Sequence, residues 1–236
     1  MGVDGGPRRG LMAPYQPPQA PADPLDWRPM KPLVTRRPLT IRDPIVEPLW
    51  SGTRVIAHIH AGQPTRLIDK FGVDLAEDEP ALAASVVAAV QADDAVIDGV
   101  LTDEATRSGE GAAIISEPRA SVMTFMFKQD PGVEVERKDV NTDPSEAFVA
   151  LDLLWLDGQS LLKVPLLERK RLLESVVTPG DLVRVSVHAR PPVEAWVASW
   201  KSAGLLGGMM KAANSRYEPG TQTDQWRTVT RVAGRR

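Results

Sequence analysis

The strongest constraint on the fold comes from one short stretch in which side chains alternate and the chain then doubles back. Val55, Ala57 and Ile59 alternate with Ile56, His58 and His60, the chain turns through Ala61-Gly62-Gln63-Pro64, and Thr65–Lys70 follows. A period of two closed by a Gly/Pro turn predicts a β-hairpin, and a hairpin implies antiparallel pairing. Helical spacing comes next. Asp78 is placed to cap a helix running to about Gln91, with Pro80 in its first turn and Leu82, Val86 and Val90 four apart. Strand-like runs occupy Ala95–Thr102, Ala112–Ser116, Val122–Phe127 and Phe148–Leu154. A second helix is expected over about Leu166–Val177, stopping before Pro179-Gly180, and a clean alternation over Leu182–His188 predicts another strand. A third helix, about Val193–Ala203, carries Val193, Trp196, Val197 and Trp200 on one stripe and ends at Gly204. Strands mixed irregularly with helices around an antiparallel hairpin predict the α+β class: antiparallel sheets flanked by helices, one domain, no internal repeat.

Before Asp43 the composition changes. Eleven of the 21 prolines fall within the first 50 residues, mixed with Gly, Gln and Ala. Such a segment buries too little apolar surface to offset the entropy of ordering, so residues 1–42 are expected to be a flexible Pro-rich basic tail. The folded domain is then 43–233, with 234–236 a short tail. Through Arg42 the tail holds Arg8, Arg9, Arg28, Lys31, Arg36, Arg37 and Arg42 against three Asp. That is a net of +4, which leaves -7 for the remainder of a chain whose total is -3. Charges this sparse suit a solvated leader; a basic arm touching nucleic acid is the alternative. The chain has no cysteine, which excludes a disulfide framework and thiolate-metal sites. No apolar stretch approaches the roughly 20 residues that span a bilayer, and the N-terminus lacks the apolar core of a signal peptide. The expectation is a cytoplasmic protein with no membrane partner.

Three stretches carry a more specific signal. The first is Glu47-Pro48-Leu49-Trp50-Ser51-Gly52-Thr53-Arg54, followed by a strand. The second is Phe148-Val-Ala-Leu-Asp152-Leu-Leu-Trp-Leu-Asp157-Gly158, followed by the helix from Leu166. The third runs Gly204-Leu-Leu-Gly207-Gly-Met-Met-Lys211-Ala-Ala-Asn-Ser215-Arg-Tyr217-Glu-Pro-Gly220 and on to Trp226. In this order they resemble the adenylation (nucleotidyltransferase) domain of ATP-dependent DNA ligases. The matching patterns there are E-x-K-x-D-G-x-R, Y-x-x-F-D-L-L-x-x-D-G and G-x-E-G-x-x-x-K-x-x-x-S-x-Y-x-P-G-x-x-S-x-x-W. The last match is the most specific, because Gly, Gly, Lys, Ser, Tyr, Pro, Gly and Trp all recur at the family's spacing.

The departures from that pattern fall on its chemistry. In the family a lysine of lowered pKa attacks the α-phosphate of ATP, and the resemblance puts Leu49 at that nucleophile position. It also implies that carboxylates are replaced by Ser51, Val100 and Leu206, the adenine-facing aromatic by Leu151, and two lysines by Thr228 and Thr230. A divalent ion held by oxygen ligands would lose most of its ligands. The expectation is therefore no catalytic residue, no metal site and no cofactor. Residues matching the family's nucleotide contacts are Glu47 for the adenine amino group, together with Arg54, Lys70 and Lys211; Arg54 and Lys211 could clamp a phosphate. Leu49, Val100, Leu151 and Leu206 are expected to converge on one small, dry cleft.

Other patterns are expected to be structural. His58 and His60 lie two apart on a strand face, and only His188 could add a third imidazole, so an exposed face accounts for the pair without a metal. Trp196 and Trp200 fit a helix core stripe better than a base-stacking pair. The Glu168-Arg169-Lys170-Arg171 run is expected to be a solvated helix face. Only ten residues follow Trp226, too few for the five strands of the OB-fold that accompanies this domain in the family. The resemblance thus implies a non-catalytic ligase-like protein, possible in a DNA-repair setting. A protein partner is favoured and DNA is the second candidate. ATP and Mg²⁺ enter only under the alternatives, a ligase with a displaced nucleophile or an ATP-binding sensor.

Overall fold

The expected hairpin forms one edge of the largest sheet. The computed structural model describes residues 20–34, 40–105 and 146–230. The expected strands Ala112–Ser116 and Val122–Phe127 lie outside them. Strands β3 (Thr53–His60) and β4 (Arg66–Asp69) pair antiparallel, with Ile56 opposite Ile68. β3 also pairs antiparallel with β5 (Asp94–Thr102), and β5 with β6 (Ala147–Leu156). The short β7 (Gln159–Ser160) and β8 (Val183–Val185), the latter parallel to β6, complete six strands. A second, three-stranded antiparallel sheet has the order β11 (Trp226–Val229), β9 (Gly208–Ala212), β2 (Pro44–Pro48). The α+β class with antiparallel sheets flanked by helices is what the fold shows.

β3, β5 and β6 read as nearly continuous apolar runs because both faces of their sheet are covered. On one face Val55, Ala57, Ile59 and Ile97 pack against α1 (Pro80–Ala89) through Leu82 and Val86, and against α2 (Leu166–Val176) through Leu173. On the other face Ile56, Val96 and Leu154 pack under Trp27, Met30, Tyr217 and Trp226. α3 (Val193–Ser202) lays Val193, Val197 and Trp200 against Val46 of β2. Trp196 and Trp200 belong to that stripe, their rings 6.0 Å apart, and Gly204 takes the left-handed conformation expected just past the helix.

Three local expectations are corrected. The cap position of α1 is Glu79, not Asp78, and it makes no side-chain cap bond; Pro80 at the first helical position lacks an N–H to satisfy. The helix stops at Ala89 because Val90 turns extended and bridges Val177. The run Leu182–His188 serves both sheets rather than one. After β8, Ser186 donates to the Ala150 carbonyl, and Ala189 then bridges Val46 of the other sheet.

The largest correction concerns the N-terminal segment. Residues 20–34, expected to be part of a flexible tail, pack on the domain. Trp27 is 3% exposed and Met30 1%. β1 (Lys31–Pro32) pairs parallel with β10 (Gln222–Thr223). The Met30 N–H donates to the Tyr217 hydroxyl at 2.9 Å, and the Gly220 N–H to the Arg28 carbonyl at 2.7 Å. Prolines give this strap a pre-set extended backbone, so ordering it costs less entropy than composition alone suggests. Two large apolar anchors then outweigh that cost. Trp27→Ala is predicted to lower stability by about 3–5 kcal/mol, read from the urea unfolding midpoint; a segment hanging free of the domain would leave the midpoint unchanged.

Candidate functional site

A cleft opens between the two sheets where the loop after β2 crosses to β3. Glu47, Pro48, Met209, Lys211 and Trp226 form one wall, from β2, β9 and β11. Arg54, Val100 and Leu151 form the other, from β3, β5 and β6, and Leu49, Trp50 and Gly52 close the end. It is open to solvent and holds about 120 Å³. The loop is pinned: the Leu49 N–H donates to the Gly207 carbonyl at 3.0 Å, Trp50 Nε1 to Ser186 Oγ at 3.0 Å, and the Ser51 N–H to Glu104 Oε2 at 2.7 Å. Two glycines are required by close approach. A Cβ on Gly52 would lie 2.0 Å from the Leu101 carbonyl oxygen and one on Gly207 2.2 Å from that of Val229, and both residues have positive φ.

Three cleft-lining residues, Glu47, Arg54 and Lys211, belong to a buried ionic network that extends behind the cleft. Glu47, 1% exposed, sits between two ammonium groups: Lys211 Nζ donates to Oε2 at 3.0 Å and Lys170 Nζ lies 3.0 Å from Oε1. Lys211 also stands 4.4 Å over the Trp226 ring. Asp98 and Asp152 face each other across β5 and β6, both fully buried. Opposed like charges destabilise a sheet, and each carboxylate here is answered by a guanidinium. Arg54 grips Asp98 through two bonds of 2.6 Å, and Arg169 grips Asp152 through two of 2.8 Å. Tyr217 donates to Asp98 Oδ2 at 2.6 Å. Arg169 further donates to the carbonyls of Val164 and Ser215.

Protonation follows from this packing. Burial pushes the Glu47 carboxyl up, but Lys170 and Lys211 more than reverse that and hold it at about 2. Burial draws the Lys211 ammonium below the usual lysine range, with Glu47 opposing and Lys170 adding to the effect. Tyr217 is pushed well above the usual phenol value by burial and the Asp98 charge, so it remains a neutral donor.

Residues 36–229 match the family model of the ATP-dependent DNA ligase domain. The chain belongs to that family. It is 30% identical over 185 residues to a DNA ligase of Methanothrix thermoacetophila, covering 77% of this chain and 31% of that protein. It is 28% identical over 177 residues to the multifunctional non-homologous end joining DNA repair protein LigD of Mycobacterium tuberculosis, covering 75% of this chain and 20% of that protein. The chain thus spans about a third or less of these relatives. The ligase domain of M. tuberculosis LigD has the same fold, with a TM-score of 0.59 at 23% identity, covering 86% of this chain and 59% of that one.

Of the residues singled out by resemblance to ligases, Glu47, Leu49, Arg54, Val100, Leu151 and Lys211 do line one cleft. Two do not. Leu206 is 58% exposed, since the backbone turns at Gly207 and its partner Leu205 takes the buried place. Lys70 sits on the turn after β4 with Nζ 4.7 Å over the Phe71 ring, outside the cleft lining. The helix run read as a solvated face is solvated only at Glu168 and Arg171; Arg169 and Lys170 are fully buried. The signal for them was the carboxylate in the middle of each of two apolar strands, Asp98 and Asp152, which demands a buried cation. The histidines do not gather. His58 is buried and held neutral, at about 4, by burial and by Arg66 and Arg28; His60 lies 3.6 Å from Asp94, and His188 3.4 Å from Glu174.

The triad Lys170–Glu47–Lys211 carries one cation more than it can pair, which fixes the sign of two substitutions. Glu47→Gln leaves two ammonium groups buried together and is predicted to cost about 3–5 kcal/mol. Lys211→Met leaves a matched pair and is predicted to be neutral or stabilising. The Glu47 carboxyl is depressed from 4.5 to about 2, so its contribution is present above pH 4.5 and lost as pH falls towards 2. Urea titrations across that window measure both effects, and the Gln variant should lack this part of the acid limb.

Proposed function

We propose that this chain is a non-catalytic member of the ATP-dependent DNA ligase domain family, acting by binding a partner. The observation that carries the reading is the cleft. Its end is closed by Leu49, at the position matching the family's nucleophilic lysine, and its wall by Val100 and Leu151, at positions matching a carboxylate and the adenine-facing aromatic. An aliphatic side chain has no lone pair with which to attack phosphorus.

ATP and Mg²⁺ do not fit what the cleft offers. Its volume of about 120 Å³ falls below the roughly 300–1,000 Å³ of small-molecule sites. Its one lining carboxylate, Glu47, is already held between two lysines. Among the described residues no three His, Asp or Glu side chains gather where a metal ion could be held. No reaction step is therefore assigned.

A protein partner is the favoured occupant, with DNA second. The relatives are named as DNA ligases and as a DNA repair protein, and repair is the setting that descent suggests for this chain. Its body, however, carries the larger negative share of the charge, which repels a polyanion on average. Among the described residues no helix is long and apolar enough to cross a membrane.

One observation favours a competing reading, a nucleotidyltransferase with a displaced nucleophile. Lys211 lines the cleft and its amine is drawn below the usual lysine range. Against this, its Nζ is engaged by the Glu47 carboxylate. Incubation with ATP labelled on its α-phosphate and Mg²⁺ or Mn²⁺, followed by denaturing electrophoresis, separates the readings. No label is predicted on the protein. A labelled band lost in Lys211→Met would establish the competing reading.

A further inference from the structure

The cleft combines two properties that point to one kind of occupant. Its lining is mostly apolar, from Leu49, Trp50, Val100, Leu151 and Met209, and each wall presents one cation, Lys211 and Arg54. Lys211 uses one donor on Glu47, and Arg54 uses Nε and Nη2 on Asp98. An ammonium has three donors and a guanidinium five, so both retain capacity. The neighbouring triad has one carboxylate between two ammonium groups, all at least 98% buried. A buried excess of positive charge is costly without an anion close by.

Size narrows the choice. A cavity of about 150 Å³ takes up a benzene-sized group, so about 120 Å³ suits one branched aliphatic side chain. The mouth continues the apolar character. Leu206 is 58% exposed and adjoins Gly207, whose carbonyl holds the Leu49 N–H at 3.0 Å. A ligand seated here is aliphatic at one end, anionic beside it, and continues past an apolar lip.

Resting on the partner-binding reading above, we propose that the cleft captures the C-terminal residue of a partner polypeptide, with an aliphatic side chain between the sheets and the terminal carboxylate on Lys211 and Arg54. A terminal carboxylate carries its charge on the same residue as the aliphatic side chain, so one residue meets both the charge and the apolar walls of the cleft.

The test uses the full chain and three probes: a fluorescent glycine–serine hexapeptide ending in leucine with a free carboxylate, the same peptide amidated, and free 4-methylpentanoate. Anisotropy is expected to show the free-acid peptide binding at least about tenfold more tightly than the amide, the scale of one hydrogen bond to a charged group. Lys211→Met, checked for folding by circular dichroism, is expected to abolish that discrimination. Leu49→Trp fills the cleft while leaving every charge of the triad in place and is expected to abolish binding of both peptides. Equal binding of acid and amide, or no saturation by about 1 mM, overturns the proposal. Uptake of 4-methylpentanoate without the peptide overturns the polypeptide occupant. A flat peptide titration in protein that forms no adenylate sinks this proposal alone; a covalent adenylate sinks the non-catalytic reading itself.

Discussion

Two consecutive residues of one helix tie this domain's two larger sheets together. Arg169 on α2 grips Asp152 of the six-stranded sheet, and Lys170, next in sequence, meets Glu47 of the three-stranded one. Successive helical residues point about 100° apart, so α2 can reach one sheet with each. All four side chains are at most 1% exposed. In so dry a place a broken pair leaves an uncompensated charge, a heavier penalty than the pair's net contribution when intact. The pairs therefore act as registration devices: they favour one placement of the sheets strongly over its neighbours. The cleft is the gap that this placement leaves.

The same logic extends outward to the N-terminal strap. Asp98 receives Arg54 and the Tyr217 hydroxyl, and that hydroxyl in turn accepts the Met30 N–H. A residue of the strap is thus two hydrogen bonds from the counterion of a cleft-lining arginine. Around this chain of contacts lie Trp27, Trp226 and Tyr217, which exclude water and strengthen each charge interaction. The strap, the six-stranded sheet and Arg54 of the cleft are joined by this chain of buried polar groups.

Local periodicity made the hairpin, the three helices and the apolar strands legible, because each depends on spacing within a few residues. The cleft was legible through motif spacing at Glu47, Leu49, Arg54 and Lys211. What escaped depended on three-dimensional neighbours. Arg169 and Lys170 lie in a run of four charged residues, and nothing local distinguishes the two that enter the core from Glu168 and Arg171, which stay in water. The strap escaped because a proline-rich composition argues for disorder, while its anchoring surface comes from Tyr217 and Trp226, nearly 200 residues away. Leu206 escaped because a motif position says which residue aligns, whereas the backbone turn at Gly207 decides where it points.

The proposed function joins these observations. In the proposed reading, the apolar residues at the cleft's end and walls suit recognition rather than phosphoryl chemistry. The central claim of the proposal is that this cleft does not take up a nucleotide. Isothermal titration of the protein with ATP, with and without Mg²⁺, tests it most directly. The account predicts no saturable heat up to about 1 mM ATP, an affinity weaker than about -4 kcal/mol. Stoichiometric binding with a dissociation constant in the micromolar range would contradict it.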